Sequence, residues 1–303
     1  MVDESPVAPW LRTIADEHAQ KRHASDSRCL GSVGLIDSTA RLRGVRSVTR
    51  GEAVSLQRPV ETRPDRLEGS HKHVELDVKV SVHGRFVSGG DTITVDAHGT
   101  GNTHLDSVAH MGIDEQWHDG IPAASSYTAD DALLRWAQYG VATRAVVADI
   151  PSLRGVPWVT VDQPVTGEEI EAAIATTGLT FEPGDALLLY MGRDRFEEAG
   201  NTYPTGAIQG SRPGIGESGA QWIADHGVSV LCWDFHDARA GEDGSLEVHM
   251  LIWAIGLCLV DNSLLGPAVR TMAEAGVAGG LLSVPPLGIY RSTGCLVNPI
   301  VLY

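Results

Sequence analysis

TGEEIEAAIATTGLTFEPGDALLLYMG, residues 166–192, sets a capped helix beside an apolar strand. Thr166 and Glu169 stand three apart, the spacing of a capping box in which each side chain serves the other's backbone N–H. Gly178 closes the pattern, so a helix is expected over 166–178. Pro183 and Gly184 then turn the chain, and the apolar run of 186–191 has the length of a strand buried on both faces. The alternation recurs on both sides. TRAVVADI (143–150) reads as a buried strand, ESGAQWIADHG (217–227) as a helix ending on glycine, and VSVLCWD (228–234) as the next strand. LEVHMLIWAIGL (246–257) reads as a buried helix running into a short strand at CLVD (258–261), and AVRTMAEAG (268–276) as another helix. Strands near GGLLSV and NPIVLY close the chain, and VELDVKVSVHGRFV (74–87) alternates as a strand or hairpin does. The class is α/β with mixed strands. Neither GxGxxG nor GxxxxGKS/T occurs, which argues against nucleotide binding.

The 303 residues, 43% hydrophobic and 20% charged, suit a globular chain able to bury a large core. No repeat or linker divides them, so one domain over 1–303 is expected. Its polar first 50 or so residues, with short helical pieces, would wrap the body or a neighbouring subunit. With 23 Lys and Arg against 39 Asp and Glu, the net charge is −16, which disfavours nucleic acid. The longest apolar run, LIWAIGLCLV (251–260), is far short of the roughly 20 residues that span a bilayer. MVDESPVAPW carries acids where a signal peptide carries bases, and a cytoplasmic protein is expected. Cys29, Cys232, Cys258 and Cys295 are scattered without a CxxC pair and read as reduced core thiols.

AHGTGNTHLDSVAHMG (97–112) carries the chemistry, with His98, His104, Asp106 and His110 at spacings of six, two and four. An extended segment points His104 and Asp106 the same way, and a helix starting at Asp106 would stack His110 on the same face. Histidines in glycine-rich loops are commonly just solvated, but three with an aspartate at these spacings suit a site for Zn²⁺, Mn²⁺ or Fe²⁺. Such an ion would lower the pKa of water and polarise a carbonyl, the requirements of hydrolysis at neutral pH.

THLDSVAH resembles the HxGTHxDxPxH signature of the cyclase family of metal-dependent hydrolases, which includes bacterial kynurenine formamidases and isatin hydrolase. Thr103, His104, Asp106 and His110 match it, whereas Thr100 stands at the leading histidine and Val108 at the proline. His98, two residues further upstream, is the candidate for the missing ligand, as in an HGxxxTH form. GLIDSTARLRGVRSVTRGEAVSL (34–56), GVATRAVVADIPSLRG (140–155), PGDALLLYMG (183–192), SRPGIGESGAQWIADHGVSVLCWD (211–234) and PPLGIYRSTGCLVNPI (285–300) extend the likeness along the chain. The resemblance implies the family's swivelling β/β/α fold and a homodimer or homotetramer. It further implies a metal centre, Zn or Mn, held by His104, Asp106, His249 and Asp261 with His98. Asp261, twelve residues after His249, replaces a glutamate one methylene longer. His110 would move protons near its ordinary pKa of about 6.5.

The expected reaction is opening of an amide or lactam C–N bond of a small molecule. A lactone or ester hydrolase and a cyclase or dehydratase would use the same centre, and a non-catalytic small-molecule or metal-binding protein is the rival from another class. Asp234, His236 and Asp237 in WDFHDAR (233–239) read as a solvated loop rather than pocket lining, and Trp117 in QWHDG (116–120) as structural. The remaining histidines, with HKH at 71–73 as an exposed strand or loop, carry no role.

Overall fold

The computed structural model describes residues 7–22, 30–63, 74–123, 132–203, 212–238 and 246–303. In chain order these form α1 (Pro9–Arg22), α2 (Ser38–Arg46), β1 (Ala53–Ser55), β2 (Val74–His83), β3 (Phe86–Val95), β4 (His104–Asp106) and α3 (Ala132–Tyr139). Next come β5 (Ala142–Asp149), α4 (Ile150–Arg154), α5 (Gly167–Ala175), β6 (Ala186–Tyr190), α6 (Arg193–Glu198), β7 (Gly214–Ile215) and α7 (Glu217–Asp225). The last are β8 (Val230–Trp233), β9 (His236–Asp237), α8 (Met250–Ile255), β10 (Cys258–Asp261), α9 (Leu265–Glu274), β11 (Gly279–Ser283), β12 (Gly294–Leu296) and β13 (Ile300–Leu302).

One mixed sheet of nine strands organises them, in the order β1-β13-β11-β5-β6-β8-β10-β4-β12. Its centre, β5-β6-β8-β10, is parallel, and the flanking strands run antiparallel. Alternate residues of the central strands enter two separate cores. Val146, Leu187, Leu231 and Leu259 face the layer of α1, α5, α7 and α8, where Leu11, Ile170, Ile223 and Leu251 meet them. Ala145, Leu188, Cys232 and Val260 face the other side, with Trp136, Ala268 and Met272 of α3 and α9. A sheet covered on both faces explains why its strands read as continuous apolar runs. Burial of each such side chain contributes about 1.5–3 kcal/mol.

The helix expected over 166–178 forms at Gly167–Ala175, as its sequence dictates. Thr166 Oγ1 accepts the Glu169 N–H, the Glu169 carboxylate accepts the Thr166 N–H at 3.0 Å, and Arg154 grips that carboxylate through two contacts of 2.7 Å. The N-terminal helices lie on the body, with Leu11 and Ala40 buried. Cys232, Cys258 and Cys295 are buried free thiols. Cys29, His23 and the histidines of 71–73 lie outside the described residues. No described helix is long and apolar enough to cross a membrane.

Candidate metal centre

The site is built on strand register. β4 lies between β10 and β12, so His104 stands opposite Asp261 and Asp106 opposite Leu259 and Gly294. With period two, His104, Asp106 and Asp261 share one face while Leu105 turns into the opposite core. His104 Nε2 lies 3.4 Å from Asp106 Oδ1 and 3.7 Å from Asp261 Oδ2. No helix follows Asp106, contrary to the expectation. Ser107 accepts the His110 N–H on its carbonyl at 3.0 Å and the Ala109 N–H on its hydroxyl at 3.2 Å, closing a turn instead. The turn still delivers His110, whose Nε2 lies 3.7 Å from Asp106 Oδ2.

His98 joins them from the segment that follows β3. Its ring stacks on His110 at 4.0 Å, its Nε2 pairs with Thr293 Oγ1 at 2.9 Å, and its Nδ1 faces Asp106 Oδ1 at 2.8 Å. The absence of a side chain at Gly294 is required here: a Cβ would come within 2.8 Å of the His98 ring. His98 Nδ1 and both carboxylate oxygens of Asp106 are buried without a hydrogen bond, since the short approach of the first pair is off hydrogen-bond geometry. Buried charge left unsatisfied is costly, and lone pairs converging in this way fit a cation. Burial opposes ionisation of Asp106, but His110, His104 and His98 together hold its carboxyl below the ordinary value. Burial pushes the His110 imidazole down to about 4, below the expected 6.5 or so, so it stands neutral.

A second ring of residues holds this one. Asn262, fully buried and next to Asp261, sends its Nδ2 to the carbonyls of Gly99 and Asn102 at 2.7 and 3.0 Å. Arg193, buried at the start of α6, donates to the Thr100 carbonyl and, at 2.7 Å, to Asn262 Oδ1. The backbone of 99–102, where the chain departs from the family spacing, is thereby clamped. The Asn102 carbonyl also accepts from His104 Nδ1 at 2.9 Å, which fixes the tautomer and leaves the Nε2 lone pair toward Asp106 and Asp261.

Residues 233–238 are not a solvated loop. Asp234, His236 and Asp237 are all buried. Asp234 accepts the backbone N–H groups of Met191, Gly192 and Arg193, each at 2.9 Å, so its polarity serves the start of α6. Asp237 accepts the Val248 N–H and pairs with His249 Nδ1 at 2.5 Å, aiming His249 Nε2 at Asp261 Oδ2, 3.4 Å away. His236 Nε2 donates to Asn262 Oδ1 at 2.9 Å and lies 3.5 Å from Asp261 Oδ2, and burial holds its imidazole down at about 3. Trp233 Nε1 donates to Asp261 Oδ1. Arg193, Asn262, Thr293 and Gly294 were missed as site residues, although Asn262 adjoins Asp261 and the TG pair lies in the closing segment quoted above.

Among the described residues, two groups of ligand atoms lie within 4.8 Å of one another, His98–His104–Asp106 and Asp106–His110–His249, and Asp106 belongs to both. Asp261 lies against His104, His236 and His249. Trp117 is half-buried against Gly112, two residues from His110. His118 is a satisfied core histidine, its Nδ1 donating to the Trp253 carbonyl at 2.7 Å. His226 likewise bonds the Trp222 carbonyl.

The Cyclase family model matches residues 38–238, and the chain belongs to that family. Among solved structures, one described as a novel cyclase is 18% identical with a TM-score of 0.74, covering 92% of this chain and 95% of its own. An isatin hydrolase bound to the product analogue thioisatinate is 16% identical with a TM-score of 0.57, covering 88% of this chain and 99% of its own. At these identities the likeness is one of fold, and the mixed nine-stranded sheet agrees with the α/β class with mixed strands expected from the sequence. Comparison with curated protein sequences finds no match.

Proposed function

We propose that this protein is a metal-dependent hydrolase that opens an amide or lactam C–N bond of a small molecule. The observation that carries the reading is the buried Asp106 carboxylate, without a hydrogen bond and ringed by His98, His104, His110 and His249. Asp106, His98, His104 and His249, with Asp261, would hold one or two divalent ions, Zn or Mn. Such an ion supplies Lewis-acid charge to a carbonyl and to water. Asp237 and the Asn102 carbonyl orient His249 and His104, so both present Nε2 to the centre. His110, half-buried and neutral beside Asp106, would accept a proton at Nε2 and return it to the leaving nitrogen. The name of the structural neighbour, isatin hydrolase, supports hydrolysis as the reaction class.

The test combines metal analysis with a substrate screen of N-formyl aromatics, cyclic amides and lactones in Mn²⁺ or Zn²⁺. His104→Ala is expected to lose metal, and His110→Ala to keep metal and lose turnover. A purified protein that holds no divalent ion and binds none on titration would overturn the proposal. Turnover confined to lactones would overturn the choice of bond.

A further inference from the structure

Trp233 ends β8 and Asp261 ends β10, and these strands pair in parallel with Val260 opposite Cys232. Continuing that register by one residue brings Trp233 beside Asp261. Each stands two residues after a leucine, Leu231 or Leu259, of the core under α1, α5, α7 and α8, so both side chains leave the sheet on that face. Trp233 is fully buried and Asp261 nearly so. There the indole Nε1 donates to Asp261 Oδ1. Its ring lies against two imidazoles, stacked on that of His236 and tilted to that of His249, with 5.6 Å between ring centres in each case. The two oxygens of Asp261 are thereby set apart. Oδ1 faces the indole, whereas Oδ2 is approached by His249 Nε2 at 3.4 Å, His236 Nε2 at 3.5 Å and His104 Nε2 at 3.7 Å. Asp106 differs, since neither of its oxygens has a hydrogen bond.

We infer that Trp233 is a positioning residue of the metal centre, its N–H holding Asp261 so that this carboxylate meets a divalent ion through Oδ2 alone. The inference rests on the metal-dependent reading above and adds to it how one ligand binds. A buried indole N–H needs an acceptor, and here the acceptor is a carboxylate of the centre rather than a backbone carbonyl. The indole is a donor only and carries no charge, so it occupies Oδ1 while leaving Asp261 its full negative charge toward a cation. A carboxylate free to pivot binds through one oxygen or two. Its second oxygen would fill a coordination position that a catalytic site keeps open for water or substrate. Trp233 acts through Asp261 in this, and its packing on His236 and His249 keeps the indole from turning away.

Co²⁺ is the probe, because its visible d–d bands weaken as coordination number rises. It is titrated into the full-length protein, with far-UV circular dichroism as the check on folding. Trp233→Phe removes the N–H together with part of the ring. Trp233→benzothienylalanine puts sulfur in place of the N–H and keeps the ring's shape, which separates the hydrogen bond from the packing. In both variants the bands per bound ion are expected to weaken, and the Kd for Co²⁺ to rise about tenfold, as loss of an orienting partner does. In an Asp261→Ala background, Trp233→Phe should change neither. Bands of unchanged intensity in the benzothienyl variant would overturn the inference while leaving metal binding standing. So would an equal effect of Trp233→Phe with and without Asp261. An unaltered protein that binds none of Co²⁺, Zn²⁺ and Mn²⁺ would overturn the metal reading itself, and this inference with it.

Discussion

Asn262 is where the ligand loop can be loosened without touching a proposed ligand. Its side chain bonds the Gly99 and Asn102 carbonyls and accepts from Arg193 and His236, and its backbone sits at φ +54. Asn262→Ala removes all four contacts. The Asn102 carbonyl keeps His104, and Arg193 Nη1 keeps the Asp234 carbonyl at 3.2 Å, so part of the loss is absorbed. The His236 N–H is left without this acceptor, and the charge-assisted bond from Arg193 disappears, together about 3 kcal/mol. Alanine in the left-handed region adds about 1 kcal/mol, which glycine avoids. Urea unfolding of EDTA-treated protein should therefore rank Asn above Gly above Ala, with about 4 kcal/mol between the ends. Asn262→Asp keeps the acceptor for Arg193 and His236 but turns an oxygen toward two carbonyls. It should fold and yet bind Mn²⁺ or Zn²⁺ about 10–100-fold more weakly by calorimetric titration, as loss of an orienting partner does. An alanine variant within about 1 kcal/mol of the parent, binding metal with unchanged affinity, would refute the clamp.

Three further outcomes follow from the same structure. Asp106→Asn removes the carboxylate shared by both groups of ligand atoms, and thermal unfolding reads the melting temperature with and without metal. The substitution should abolish the rise that saturating Mn²⁺ or Zn²⁺ gives the parent, about 2.7 kcal/mol at 100 times Kd; a surviving rise would remove Asp106 from the ligands. Asp194 is buried, and although burial opposes its charge, bonds from Arg270 and Tyr190 at 2.8 Å keep its carboxyl below the ordinary value. A depressed folded pKa gives stability that is present above the unfolded value near 4 and lost as pH falls through the folded one. The stability gap between parent and Asp194→Ala, about 2 kcal/mol at pH 7, should thus hold down to about pH 4 and close below it, as read by unfolding at each pH. A Cβ at Gly266 would fall 1.8 Å from Asp194 Oδ2, so Gly266→Ala should cost about 3 kcal/mol. In the Asp194→Ala background it should cost less, and strict additivity in that double-mutant cycle would contradict the contact.

What local pattern determines was legible, and what depends on a distant partner was not. The HLD of β4 carries its own period of two, so the common direction of His104 and Asp106 follows from three residues. That Asp261 stands directly across from His104 is a register between strands more than 150 residues apart, and only the family spacing hinted at it. The capping box of α5 is local and formed as read. The helix expected after Asp106 failed for a reason that is also local, the turn built on Ser107. WDFHDAR failed differently. Polar residues in a row read as solvated unless their partners are known, and those partners are Arg193, Val248, His249 and Asn262. The alternation of 74–87 read as a strand or hairpin, but which of its faces is covered depends on where the ribbon leaves the body.

The six-residue spacing from His98 to His104 is the strongest case for reading departures from a motif as structure rather than decay. Two extra residues would carry a ligand histidine off its target if the loop were merely longer. Here the excess is absorbed by 99–102, whose three carbonyls at 99, 100 and 102 are each held by Asn262 or Arg193. The bare Gly294 leaves room for the displaced ring, and Thr293 fixes its far nitrogen. A chain that had simply lost the site would have no reason to keep a buried arginine, a left-handed asparagine and a side-chain-free strand position directed at one loop. Maintaining them costs stability, since Arg193 is desolvated and Asp106 lacks hydrogen bonds, and such costs concentrate where a function needs the geometry.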